Sequence, residues 1–169
     1  MPSGDADPGP ALAGRGRLVV GIVVGVVALD QATKAWAVHA LRDSPVSLIG
    51  TTVEFRLSRN TGSAFSLFQT LTPLLAVLAV VIALVLVRAL RRTDDRIVIV
   101  SLALVLAGAF GNLGDRLFRS PGLLRGAVVD FIRLDGWPTF NVADSAITIG
   151  AVLLVGWSLF ATRPPRPEV

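Results

Sequence analysis

GAFGNLGDRLFRSPGLLRGAVVDFIRLDGWPTFNVADSAIT, residues 108–148, leaves one long apolar run, crosses a polar loop and enters another. It carries Asn112, Asp115, Arg116, Asp130, Asn141 and Asp144. A carboxylate at or inside the edge of a bilayer is costly, so each of these residues is a functional candidate. Asp130 is the least ordinary of them. It sits in the middle of the apolar pentad Val-Val-Asp-Phe-Ile, whereas a fully solvated loop has no need of four large apolar neighbours. Asn141 and Asp144 also suit a helix start, one as N-cap and the other as the carboxylate three residues on. Asp115 and Arg116 also suit an ordinary charge pair at a helix end.

Working outward, the run before this stretch reads as a span over about 97–113 and the run after it as a span over about 142–161. Upstream lies RALRRTDDR, residues 88–96, a short basic loop, and before it a further apolar run over about 71–90. Pro73 falls in the first turn of that run, where a missing N–H costs little. A first apolar run, about 18–40, follows Arg15 and Arg17. It resembles the start of a secretory signal, but no small-residue cleavage site follows, and Asp30 and Lys34 stand where one is expected. An uncleaved first span is the better reading.

The chain has 169 residues, of which 53% are apolar. Ordinary soluble domains reach about 45–50% on a broader count that includes glycine. The excess lies in the four runs, which predicts an all-α integral membrane protein of four transmembrane helices. The basic clusters at 15–17, 88–96 and 163–166 place both termini on the cytoplasmic side. Outer segments also carry Arg, at 42, 56, 59, 116, 119, 125 and 133, so the bias is not clean. Residues 1–16 are rich in Pro, Gly and Ala without periodicity and read as a disordered tail. Residues 17–162 form the four-span unit, and 163–169 a cytoplasmic C-terminal tail.

Residues 41–70 form the first outer segment. VEFRLS, 53–58, alternates apolar and polar residues as a half-buried strand does. Such a strand belongs at the interface, because an open sheet edge is not viable in lipid. RNTGSAFSLF, 59–68, then reads as a turn into the next helix, with Asn60 and Gly62 suited to it.

Composition limits the chemistry. There is no Cys and one His, His39, so thiol nucleophiles, disulfides and multi-histidine zinc sites are excluded. Net charge is +4, with fifteen of sixteen basic residues Arg. These lie mostly between apolar runs, so they set topology and imply no nucleic-acid partner. Asp30 and Lys34 are four apart, hence on one helix face. They read either as a self-neutralising ion pair or as part of a polar site. A Ser/Lys dyad of Lys34 with Ser58, Ser63 or Ser66 has no spacing to support it. Carboxylate is what the chain offers in quantity. Two facing carboxylates share a proton, and the pair can activate water and protonate a peptide carbonyl.

Five stretches together resemble the bacterial lipoprotein signal peptidases (signal peptidase II): DQATK at 30–34, RNTGSAFSLF at 59–68, GAFGNLGDR at 108–116, GAVVDFI at 126–132 and FNVADSAI at 140–147. The resemblance covers roughly residues 18–160. It implies a multi-pass aspartic endopeptidase of the bacterial inner membrane with its site at the outer face. Such an enzyme cuts prolipoproteins on the N-terminal side of a diacylglyceryl-modified cysteine. It also implies Asp130 and Asp144 as the catalytic pair, and Asp115 with Arg116 and Asn112 as residues that order the site. Asp30, Lys34, Asn60, Gly62, Ala64, Asn141 and Ala143 then bind substrate backbone or hold the site in shape, and the strand at 53–58 becomes an outer β element. No cofactor or metal is expected, the partners are lipidated substrates and membrane lipid, and a monomer is expected.

Three departures stand out. Ala107 takes a position where the family often has Gly. Gly114 is small where a larger residue is usual, and the resulting Gly-Asp pair resembles presenilin-type proteases, which also want a Tyr-Asp motif; this chain has no Tyr. Asp130 and Asp144 are fourteen residues apart, a short link for the family. Two other classes fit the same residues less well. A small transporter or ion-path component would use the rim aspartates along a proton route. A structural subunit would use Gly108, Ala109 and Gly111 for helix packing.

Overall fold

The computed structural model describes residues 10–61 and 72–161. Four helices carry the apolar runs: α1 (Pro10–Ala40), α2 (Thr72–Leu90), α3 (Arg96–Phe118) and α4 (Val142–Phe160). The shortest two have 19 residues, which at 1.5 Å per residue is about 28 Å, close to the hydrocarbon thickness of a bilayer. All four are long and apolar enough to cross a membrane. Their outer faces are apolar as well: Val24, Leu84, Val152 and Phe160 are all well exposed. In water that would be a liability, but in lipid it is the required surface.

α3 is the hub and packs against each of the other three helices. Its Ile99, Leu102 and Leu106 form the core with Ala83 and Leu90 of α2, flanked by Leu18, Val19 and Val23 of α1 and by Leu154 and Trp157 of α4. The α3–α4 seam is closed by missing side chains. A Cβ on Gly150 would lie 2.6 Å from the Ser101 carbonyl oxygen, and a Cβ on Gly108 would lie 2.6 Å from Ile147 Cγ1. Close backbone approach of this kind is how helices associate where no hydrophobic force separates them from lipid. Gly150→Leu is expected to push the seam apart and lower stability by about 1–3 kcal/mol, read as a fall in the thermal midpoint of the protein in detergent.

Two boundaries differ from the sequence reading. α1 begins at Pro10, inside the stretch expected to be a disordered tail, because Pro presets the helical φ in a first turn and Ala11 and Ala13 carry the helix on. α3 runs past Leu113 to Phe118, so Asp115 and Arg116 are helical residues and not end charges. The polar side chains that suggested a stop are matched by partners on neighbouring elements. α2 and α4 match their expected ranges within a residue.

The β element is larger than the one strand expected. β1 (Val46–Ile49), β2 (Val53–Asn60) and β3 (Val128–Leu134) form an antiparallel sheet in the order β1-β2-β3. The register shifts between Phe55 and Ser58, and the ladder resumes with Ser58 opposite Asp130 and Asn60 opposite Val128. The simple in-out alternation of 53–58 fails at Glu54, which is buried because Arg133 opposite donates to it at 3.3 Å. Val128, Val129, Asp130 and Phe131 are all buried. The apolar pentad is therefore a covered strand and not a loop dipping into lipid. An aromatic joint fixes the sheet to the end of α1: Trp36 meets Phe55 edge-on at 5.5 Å and Phe131 at 6.1 Å, over a cluster of Ala37, Leu41 and Phe131. Phe140 pairs back onto Ile132 and so holds the start of α4 against β3.

Candidate functional site

Two arms of this scaffold bring carboxylates together. β3 supplies Asp130, 2% exposed, and the first turn of α4 supplies Asp144, half-buried. Asn141 lies between them and is fully buried. Its Nδ2 donates to Asp130 Oδ1 at 2.7 Å, its Oδ1 accepts from the Asp144 backbone N–H at 3.0 Å, and its own N–H donates to Asp144 Oδ2 at 3.2 Å. The last two bonds make a capping box. The ordinary reading of Asn141 and Asp144 as helix caps is thus correct, and the same two residues also form part of a larger polar site. The asparagine that caps α4 spends its remaining amide on the second carboxylate.

Asn112 of α3 closes the other side. Its Oδ1 accepts from Lys34 Nζ at 3.0 Å and from Asn141 Nδ2 at 3.2 Å, and its Nδ2 donates to Asp144 Oδ1 at 2.8 Å. With two donors facing its oxygen, the amide has one consistent orientation, and that orientation points an N–H at Asp144. Both Asp144 oxygens therefore accept hydrogen bonds.

Below this layer is a buried charge cluster. Lys34 Nζ lies 2.8 Å from Asp30 Oδ2 and 2.9 Å from Asp115 Oδ2, all three side chains fully buried. Together with Asn112, these partners use all three ammonium protons. Lys34 is thus neither a free base nor available for a Ser/Lys dyad; Ser63 and Ser66 lie outside the described residues. Asp30 also accepts from the Ala143 N–H at 2.9 Å, and Asp115 from the Val129 N–H at 3.1 Å and from Arg119 Nε at 2.6 Å. The two readings of Asp30 and Lys34 therefore merge: they are an ion pair, and through Asn112, Ala143 and Asp115 they set the position of both arms. Ala143, fully buried, packs where a Cβ on Gly111 would come within 3.1 Å, so its small size is what lets α4 reach Asp30.

Asn60, at the end of β2, hydrogen-bonds Asp130 through its side chain. Arg116 lies within electrostatic reach of Asp130, Asp115 and Asp144, and its buried Nη1 has no hydrogen-bond partner among the described residues. Gly62 and Ala64 lie outside the described residues. Two partners went unnoticed in the sequence. Gln31 Nε2 reaches Asp30 at 3.1 Å, the Gly111 carbonyl at 3.1 Å and Asp115 at 3.3 Å. Arg119 neutralises Asp115 from one turn on. The i,i+4 spacing of Asp115 and Arg119 was readable, but only with a helix that continues past residue 113.

Electrostatically the two carboxylates differ. Burial, followed by the nearby Asp144 charge, pushes Asp130 up to about 6; hydrogen bonds from Asn60 and Asn141 and the Lys34 charge act the other way. A carboxyl whose folded pKa exceeds its unfolded value binds more protons when folded, so its contribution is present below about pH 4 and is lost as pH rises through about 6. The loss amounts to about 3 kcal/mol at neutral pH. Thermal midpoints in detergent from pH 4 to 8 are expected to fall across this window, and Asp130→Asn to flatten the fall. An unchanged slope in the variant would show that other groups carry it.

The buried ionisable side chains Asp30, Lys34, Asp115 and Asp130 gather at one end of the bundle, and the Lys34 donors are fully used, so this arrangement gives no support to an ion path. A sequence profile described as Signal peptidase (SPase) II matches residues 22–160. A lipoprotein signal peptidase of Rhodococcus jostii (strain RHA1) is 46% identical over 165 residues, covering 96% of this chain and 83% of that one. One from Mycobacterium tuberculosis (strain ATCC 25618 / H37Rv) is 41% identical over 174 residues, covering 94% and 86%. Two solved structures, described as bacterial membrane enzymes determined by the in meso method, align with TM-scores of 0.75 and 0.76 at 28% and 29% identity. They cover 90% and 86% of this chain, and 93% and 94% of their own. With its four apolar helices, its three-stranded sheet and a family match over most of its length, the chain belongs to the signal peptidase II family, the lipoprotein signal peptidases.

Proposed function

We propose that this protein is an aspartic endopeptidase that removes the signal peptide from diacylglyceryl-modified prolipoproteins, with Asp130 and Asp144 as its catalytic pair. The cut falls on the N-terminal side of the lipid-modified cysteine. The observation that carries this reading is the one buried asparagine, Asn141, that hydrogen-bonds both carboxylates at once. Aspartic hydrolysis needs two carboxyls that share one proton, held in register.

In this reading the pair holds a single proton on the Asp130 side. Asp144, with both oxygens accepting N–H bonds, is the ionised partner and takes a proton from water as the water oxygen attacks the scissile carbonyl carbon. Asp130 gives its proton to the carbonyl oxygen. The tetrahedral diol then collapses: Asp130 takes back a hydroxyl proton as the C=O reforms, the C–N bond breaks, and Asp144 protonates the leaving nitrogen. The products are a signal peptide carboxylate and the free amine of the lipidated cysteine. Arg116 adds positive field beside the pair, and Asn60, Gly62 and Ala64 bind substrate backbone or hold the site in shape. An apolar groove of about 290 Å³ runs from Asp144 along α4 past Trp137, Phe140, Thr148 and Ile149. It suits the apolar flank of a lipidated substrate.

The protein acts as a monomer in the bacterial cytoplasmic membrane, both termini cytoplasmic and the aspartates at the outer face. The test is cleavage of a verified diacylglyceryl-modified prolipoprotein by purified protein in detergent with EDTA present. Cleavage at the cysteine supports the reading, and no cleavage by folded protein would overturn it. Reactivity of a cysteine introduced at Thr93, on the loop between α2 and α3, toward an impermeant thiol reagent reads the orientation; labelling from outside intact cells would reverse it.

A further inference from the structure

At the end of the bundle away from the aspartates, the C-terminal turn of α2 runs into the loop before α3. Leu84, Val87, Arg88, Arg91 and Arg92 line one groove there, of about 320 Å³. Their spacings of three, four, seven and eight residues put them on one face of α2 and its continuation. The stripe passes from apolar to cationic over about 12 Å of helix axis. Leu84 is 66% exposed, Arg88, Arg91 and Arg92 are exposed as well, and Val87, half-buried, packs on its other side against the α3 core.

The loop also holds two carboxylates, but both are turned elsewhere. Asp94 pairs with Arg15 of α1 at 2.7 Å. Asp95 caps α3 through the Ile97 and Val98 N–H groups and accepts from Trp157 Nε1 of α4 at 2.9 Å. Among the described residues, Arg88, Arg91 and Arg92 form no ion pair. Charge is thus segregated: the loop's acids lock helices together, while three guanidiniums face one groove whose upper wall is apolar. The negative end of the α2 dipole favours cations here but does not neutralise them.

We propose that this groove binds an anionic phospholipid, its phosphate held by Arg88, Arg91 and Arg92 and its acyl chain laid along Leu84 and Val87. A guanidinium fork suits phosphate oxygens, and only an amphiphile uses both walls at once. The site is remote from the aspartates and does not depend on the peptidase reading.

The test uses the full chain in nanodiscs of phosphatidylcholine with an added fraction of phosphatidylglycerol, followed by native mass spectrometry of retained lipid. Wild type is expected to retain phosphatidylglycerol over phosphatidylcholine. Arg88→Gln/Arg91→Gln/Arg92→Gln is expected to weaken that preference roughly 100-fold, about fivefold per basic residue at an anionic surface. Arg125→Gln, an exposed arginine at the other end, is expected to change nothing. The triple Arg→Lys variant, which keeps the charge, is expected to fall between. Equal retention by wild type and the Gln variant, or equal retention of the two lipids by wild type, would overturn the proposal. So would displacement of the lipid by inorganic phosphate at equal concentration, which would make the site one for free phosphate. The substituted residues are exposed, so an unchanged thermal midpoint shows that the variant is folded.

Discussion

Asp130→Asn and Asp144→Asn are each expected to reduce prolipoprotein cleavage by about 10⁴-fold, at or below detection, because general acid and general base steps each contribute about 10²–10⁴-fold and in the proposed mechanism each residue serves as both in turn. The substitutions keep volume and one acceptor oxygen, so the folded protein is expected to persist. The two variants differ in what they do to their neighbours. At position 130 the new amide can turn its oxygen to Asn141 Nδ2, which donates there at 2.7 Å, and the desolvated charge is gone. At position 144 both carboxylate oxygens accept, one from Asn112 Nδ2 and one from the Asn141 N–H. A primary amide can satisfy only one of these, leaving two donors face to face at a cost of about 1–3 kcal/mol. Asp130→Asn is thus expected to be at least as stable as wild type at pH 8 and Asp144→Asn less stable, while both are inactive. Cleavage at the wild-type rate by either variant would remove that residue from the catalytic pair.

The second large effect is at Lys34. Removing its ammonium leaves Asp30 and Asp115 fully buried with their shared cation gone, and Arg119, 25% exposed, neutralises Asp115 alone. Breaking a buried pair from one side costs about 3–5 kcal/mol, because an uncompensated charge stays behind. Lys34→Met is expected to lower the thermal midpoint more than any other single change at the site. Neutralising the whole set, Asp30→Asn/Lys34→Met/Asp115→Asn, is expected to recover more than half of that loss, since a buried pair replaced by neutral groups is often tolerated. Activity is expected to stay low in the triple variant. Lys34 is one of two donors that set the Asn112 amide, and without it the N–H aimed at Asp144 is no longer fixed. Recovery of cleavage together with stability would show that Lys34 has no positioning part.

The same features explain why the spans and the aspartates are legible in the sequence. Burial in lipid imposes an unbroken apolar run of about 20 residues, and a run of that length shows in any sequence. A carboxylate within such a run, or between four large apolar residues as at Asp130, stands out for the same reason. The strand at 53–58 was visible through its alternation, whereas β3 was not: Val128 to Phe131 are all buried, so apolar residues fall on both faces and flank Asp130 without a period. The true end of α3 was obscured because Asp115, Arg116 and Arg119 look like solvent residues unless their partners are known.

What the sequence alone determined is therefore local: four helices and polar residues, Asp115, Asp130 and Asp144 among them, gathered at one end, with the pairing of Asp130 and Asp144 implied by the family resemblance. What only the tertiary structure decided is which groups meet. Asp30 takes its hydrogen bond from Ala143, 113 residues away, and Lys34 meets Asn112, 78 residues away. Asn141 reaches Asp130 because Phe140 is tied to β3. Hydrophobic patterning reflects a solvation cost borne residue by residue, so it is written along the chain. Hydrogen-bond partners in a dry interior are selected by packing, here by glycines that let α4 settle against α3 until Asn112 met Asp144 and Asp30 met the Ala143 N–H.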